Sequence, residues 1–134
     1  MPALCEPEIR VVDVALDEAE AGMVISSLDA GRSPAVERRA QDRREVRCTG
    51  EFRLFADGDG ARGRVLYARD GDPHGLGFVC REQLPLGFRG TLWLPDVGGV
   101  ELTAVATVYR CRPCAAGWYE GMLYFQRSQP RLCP

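Results

Sequence analysis

Lysine and asparagine are absent from this chain, histidine occurs once, at His74, and no uninterrupted apolar run exceeds a few residues. Runs so short fall far below the ~20 apolar residues that cross a bilayer as a helix, so no membrane span is expected. The opening Met-Pro-Ala-Leu-Cys-Glu-Pro-Glu has neither the basic nor the apolar stretch of a secretory leader, which makes the cytoplasm the expected compartment. With one histidine, no Ser-His-Asp pattern, no phosphate-binding loop signature and no set of metal ligands, catalysis is not expected. Six cysteines would be an even set for a secreted framework, but without an export signal they are read as free thiols. Cys111-Arg-Pro-Cys114 has the spacing of half a zinc knuckle or of a redox pair, yet a structural zinc needs four ligands and no second pair exists.

Because lysine is missing, all 17 basic residues are arginine, in a chain of 134 residues with net charge −2. A GC-rich coding bias accounts for that abundance, so position is more informative than count. Residues 6–20 carry Glu6, Glu8, Asp13, Asp17, Glu18 and Glu20 against Arg10 alone, whereas 32–47 holds six arginines. A locally basic segment in a mildly acidic protein suits a small anionic ligand better than a nucleic-acid polymer. With 46% hydrophobic and 27% charged residues, the length supports one globular domain and a modest extension.

Strand patterns separated by turn chemistry dominate from residue 46 onward. Strands are expected over 46–56, 61–68, 76–81, 90–95, 100–110 and 118–126, with turns or connections at 57–60, 69–74 and 111–117. Leu102, Ala104, Ala106 and Val108 alternate onto one face. Six short strands without intervening helices predict an all-β fold, a small six-stranded antiparallel barrel, because closure removes exposed edges. Ahead of it, 9–16 reads as a short strand, and Asp17-Glu18-Ala19-Glu20 as the capped start of a helix to about Leu28, stopped by Gly31 and Pro34. The stripe of that helix, Ala19, Met23, Val24 and Ser27, is thin. The expected organisation is an extension over 1–35, a barrel over 36–128 and a tail over 129–134.

Just before the first confident strand comes Glu37-Arg38-Arg39-Ala40-Gln41-Asp42-Arg43-Arg44, with three residues between Arg39 and Arg43. Guanidinium forks bind phosphate and the O6/N7 edge of guanine in bidentate fashion, although taken alone the segment reads rather as a solvated linker. About thirty residues later stands Arg69-Asp70-Gly71-Asp72-Pro73-His74-Gly75-Leu76-Gly77-Phe78. Together the two segments resemble the PilZ domain family, whose signature is RxxxR ahead of the first barrel strand and D/NxSxxG between the second and third, commonly followed by Gly-Leu-Gly-apolar. Arg39 and Arg43 match the first part, and Asp70, Gly75 and Leu76-Gly77-Phe78 the second. Val105 to Tyr109, then Trp118-Tyr119-Glu120-Gly121-Met122-Leu123-Tyr124-Phe125, resembles the closing strands. The likeness covers roughly 36–128.

The resemblance implies binding of cyclic di-GMP (cyclic di-guanylate), a bacterial second messenger, in a PilZ-like barrel that passes the binding on to a downstream protein partner. Arg39 and Arg43 would then grip phosphates and guanine edges with Arg38 as a third contact, Asp70 would accept from guanine N–H groups, and Gly75 would admit the ligand close to the backbone. The chain departs from the pattern at Asp72, where the family has serine, and at His74. A frame that puts His74 at the serine position would push the apolar run out of phase, so the first frame is kept. Asp72 has two readings: an acceptor for guanine N–H groups that repels a phosphate, or a solvated turn residue beside Pro73. The alternative to a receptor is a degenerate domain that has lost the nucleotide and serves as an adaptor for a motility, pilus or polysaccharide system.

Overall fold

The structure, a computed structural model, describes residues 6–31, 43–58 and 62–132, with side chains from 17 onward except that of residue 131. One helix, α1 (Glu6–Ala30), precedes seven strands: β1 (Arg44–Glu45), β2 (Thr49–Leu54), β3 (Arg64–Asp72), β4 (Gly75–Cys80), β5 (Arg89–Val97), β6 (Val100–Ala115) and β7 (Trp118–Phe125). All pairings are antiparallel. The order β3-β2-β5-β6-β7-β4 closes through a β3–β4 pairing into a six-stranded barrel, and β1 is an extra short strand on β3. The predicted barrel is therefore present.

Period-2 alternation fills it. Phe52, Leu54, Leu66, Leu76, Phe78, Leu92, Leu94, Leu102, Ala104, Ala106, Val108 and Leu123 point inward and form one continuous core. The β5–β6 hairpin turns on Gly98 and Gly99, both at positive φ (62° and 88°), the conformation a two-residue hairpin turn of matching twist demands. A second, smaller core lies outside the barrel, where Ala21, Val24 and Ile25 of α1 cover Tyr67, Val79 and Trp118. The outer face of β4 is buried by this layer at Val79 and by the Asp70 and Tyr124 side chains at Gly77 and Gly75.

The extension differs from its sequence reading. The stretch 9–16 is helical, part of the 25-residue α1, and is not a strand. Ile9, Val12, Leu16 and Ala19 recur at helical spacing, and Glu6 and Glu8 suit the positive end of a helix dipole, so this period prevails over a loose alternation. Asp17 caps nothing; it sits inside the helix and pairs with Arg81 at 2.9 Å. The buried face is Ala21, Val24, Ile25 and half-buried Leu28; of the expected stripe only Val24 belongs to it, Ala19 and Ser27 being exposed and Met23 73% exposed. Gly31 does end the helix, its N–H bonded to the carbonyls of Ser27 and Leu28.

Two connections are shorter than the sequence suggests. β3 runs on to Asp72, so the expected 69–74 loop shrinks to the turn at Pro73 and His74; β6 runs on to Ala115, leaving Ala116 and Gly117 to turn the chain. In both cases ladder pairing with a neighbouring strand overrides polar or proline-bearing composition.

Candidate functional site

Arg38 and Arg39 lie outside the described residues; Arg43, Asp70, Asp72 and Gly75 are brought together at one corner of the barrel. The corner follows from register. β1 pairs antiparallel with the end of β3, Arg44 opposite Gly71 and Glu45 opposite Asp70, which brings Arg43 alongside Asp70 and Asp72. These two carboxylates, two residues apart on a strand, face the same side. The Arg43 guanidinium sits between them: Nε and Nη2 donate to Asp70 Oδ1 at 3.3 and 3.1 Å, and Nη1 donates to Asp72 Oδ2 at 2.6 Å. The Arg43 and Asp70 side chains are each only 16% exposed, so this fork is shielded and stronger than a surface ion pair.

Asp72 does a second job. Its Oδ1 accepts from the backbone N–H of His74 at 2.8 Å and of Gly75 at 2.9 Å, a side-chain cap on the two-residue turn into β4. Asp72 is thus a turn residue through one oxygen, while its other oxygen is held by the arginine, a contact that neither sequence reading included. His74 is exposed in that turn, while Leu76 and Phe78 point inward.

Two buried glycines of β4 lie between the fork and β7. Opposite Asp72 stands Gly75, and opposite Asp70 stands Gly77; across the next ladder Gly75 faces Tyr124 and Gly77 faces Met122. A Cβ on Gly77 would collide with the Asp70 carboxylate, and one on Gly75 would lie 2.8 Å from the Leu123 carbonyl oxygen and 3.2 Å from Tyr124 Cδ1. Side chains here would push Asp70 and Tyr124 aside, so glycine is what lets both reach over β4. Asp70 and Tyr124 thus cover the buried Gly77 and Gly75, with the Arg43–Asp70–Asp72 fork on one side of β4 and Met122 and Tyr124 on the other.

Next along β3 from the fork lies an arginine cluster whose spatial grouping the sequence concealed. Arg69 holds Asp29 near the end of α1 through Nη2 at 2.8 Å, and Arg47 reaches the same aspartate at 3.2 Å. Glu120, only 4% exposed, takes Arg110 at 3.3 Å, Arg112 in a close contact, and Arg69 at 3.9 Å. A buried carboxylate surrounded by guanidinium groups anchors them. The alternation of Arg110 and Arg112 was visible in sequence, but their meeting with Glu120 depends on the β6–β7 register.

The cysteine pair does not form a site. Cys111 points into the barrel core, while Cys114, three residues on, packs against the outer core beneath α1, as odd spacing on a strand requires. Cys111 instead accepts from the Leu84 N–H at 3.3 Å, while the Cys80 thiol donates to the Glu82 carbonyl at 2.9 Å; the closeness of the two sulfurs lowers the pKa of Cys111 and, with burial, raises that of Cys80. Among the described residues no cluster of His, Cys, Asp and Glu is arranged to hold a metal.

A separate open groove of about 540 Å³, lined by Glu51, Arg53, Phe55, Thr91, Trp93 and Thr103, lies at the opposite end of β3. It shares no residue with the fork, and its Trp93 indole N–H is already held by Glu101 at 3.0 Å. The groove is thus remote from the Arg43–Asp70–Asp72 fork. The chain matches no protein-family model, no curated protein and no solved structure.

Proposed function

We propose that this protein is a non-catalytic receptor for cyclic di-GMP, built on a PilZ-like barrel and acting in bacterial second-messenger signalling through a downstream protein partner. The observation that carries the reading is the convergence of Arg43 with Asp70, Asp72 and Gly75, a short motif 27 or more residues further along the chain, at one shielded corner of the barrel. Arg43 supplies a fork for a phosphate or a guanine edge, and Asp70 an acceptor for guanine N–H groups. The chain enters this corner from the segment holding Arg38 and Arg39, which supplies further guanidinium groups for the two phosphates. The cytoplasm, where the messenger resides, is the compartment this reading requires.

Calorimetric titration of cyclic di-GMP into the protein at a stated salt concentration tests it, with Arg43→Ala as the control. Binding that Arg43→Ala weakens by about 10- to 100-fold, without release of linear product, is the expected result. Absence of binding by the wild type overturns the reading.

One observation favours a second reading. Arg43 is already neutralised by two carboxylates, and a ligand has to take it from them. In the degenerate-domain reading that ion pair is a permanent part of the fold, and the protein is an adaptor without nucleotide. The titration decides between the two.

A further inference from the structure

Outward-facing aromatic residues on a barrel with a complete core call for a reason. Tyr109 and Tyr124 are 57% and 46% exposed, and neither belongs to the inner core or to the layer beneath α1. Their rings nonetheless stack, with centroids 4.4 Å apart and planes within 14° of parallel. The arrangement has a structural cause in β6, where a register shift between Val108 and Arg110 leaves Tyr109 without a partner of its own on β7 and sets it against Tyr124. Two large rings are therefore held as one rigid, solvent-facing surface.

Position gives that surface a use. Tyr124 stands opposite Gly75, and Gly75 opposite Asp72, the carboxylate that holds Arg43. The Cδ1–Cε1 side of the Tyr124 ring overhangs Gly75, where a Cβ would lie 3.2 and 3.6 Å from those two atoms. Two strand spacings, ~10 Å, thus separate Tyr124 from Asp72, with Gly75 on the strand between them. A base, its ribose and its phosphate together span such a distance.

We propose that Tyr109 and Tyr124 form a stacking platform for one guanine base of the ligand, while Arg43 and Asp70 take the phosphate and the edge of the other base. This rests on the cyclic di-GMP reading and adds to it an aromatic contact from the two closing strands. Every purine has a flat π-face, so the platform contributes affinity and leaves the choice of base to Asp70. The pair is pre-stacked, which lowers the entropy lost when a third ring joins.

The test is calorimetric titration of cyclic di-GMP into wild type, Tyr109→Leu, Tyr124→Leu, the two Tyr→Phe variants and Arg43→Ala. Leucine keeps apolar bulk and removes the π-face, and should weaken binding about 5- to 100-fold, the range for one stacked base. Phenylalanine keeps the face and should bind within about threefold of wild type. Thermal melting checks folding, and Tyr109→Leu keeps the test readable if Tyr124→Leu unfolds, because its ring is the more exposed. Leucine variants that bind like wild type while Arg43→Ala does not would overturn the platform and leave the receptor standing, with the tyrosines then free for a protein contact. Phenylalanine variants that fall as far as leucine would overturn it in favour of hydroxyl hydrogen bonding. A wild type that does not bind removes both the platform and the receptor.

Discussion

Replacing Asp72 with serine probes the one position where two duties share a side chain. Serine Oγ can still accept from the N–H groups of His74 and Gly75, which Asp72 Oδ1 now caps at 2.8 and 2.9 Å, so the turn survives. What disappears is the 2.6 Å contact from Arg43 Nη1, while the bonds from Nε and Nη2 to Asp70 remain. A charge-assisted hydrogen bond is worth about 1.5–3 kcal/mol when shielded. With Asp72 a quarter exposed and Arg43 keeping its other partner, the loss of folding stability should be nearer 1 kcal/mol. Binding should move the other way. Two unit charges ~5–8 Å apart at an effective dielectric of ~20–40 repel by about 1–3 kcal/mol, and Asp72→Ser removes that repulsion from an incoming phosphate as well as freeing Nη1. Arg43 partly neutralises Asp72, so the expected net gain is at the low end, about 1–1.5 kcal/mol, or near tenfold in affinity. Titrations of wild type and Asp72→Ser at low and moderate salt measure it. Weaker binding by the serine variant with an unchanged salt dependence would refute the reasoning and make Asp72 a reader of the guanine edge; equal affinities would confine Asp72 to the turn.

Three further outcomes are expected. Gly77→Ala should remain folded, because its Cβ meets only the movable Asp70 carboxylate, whereas Gly121→Ala meets the Arg110 carbonyl and lies 2.6 Å from the Phe78 ring, and should lose several kcal/mol in denaturant unfolding. Ile25→Ala, on the face of α1 that packs on Tyr67, Val79 and Trp118, should cost about 2–4 kcal/mol of helix docking and raise amide exchange in α1 while the barrel strands stay protected. Burial beneath α1, with Asp17 and Glu18 adding to it, pushes the Tyr67 phenol up to about 12 from 10.0. A pKa raised on folding contributes stability that is fully present below pH 10 and is lost as pH rises toward 12, so wild type should lose roughly 1–3 kcal/mol over that window and Tyr67→Phe distinctly less, as read from urea unfolding at each pH.

The sequence by itself determined the barrel, because alternation at period 2 leaves a half-buried strand only one way to face, and turn residues mark where the chain reverses. It also singled out Asp70, Asp72, Gly75 and Arg43, since side chains within a short motif declare their spacing without help from the fold. Element ends were less legible: β3 and β6 continue through Asp72 and Ala115, where pairing with a neighbour outweighs composition. The helix at 9–16 was misread because a few apolar residues fit either period, and its extent and buried face are decided by the outer layer of Tyr67, Val79 and Trp118. Only the tertiary structure could join Glu120 to Arg110 and Arg112, stack Tyr109 on Tyr124, send Cys111 and Cys114 to opposite faces, and give one oxygen of Asp72 to the turn and the other to Arg43. Cross-strand register is set by the whole closed barrel, and a one-residue shift would undo each of these contacts while leaving the local sequence signals unchanged.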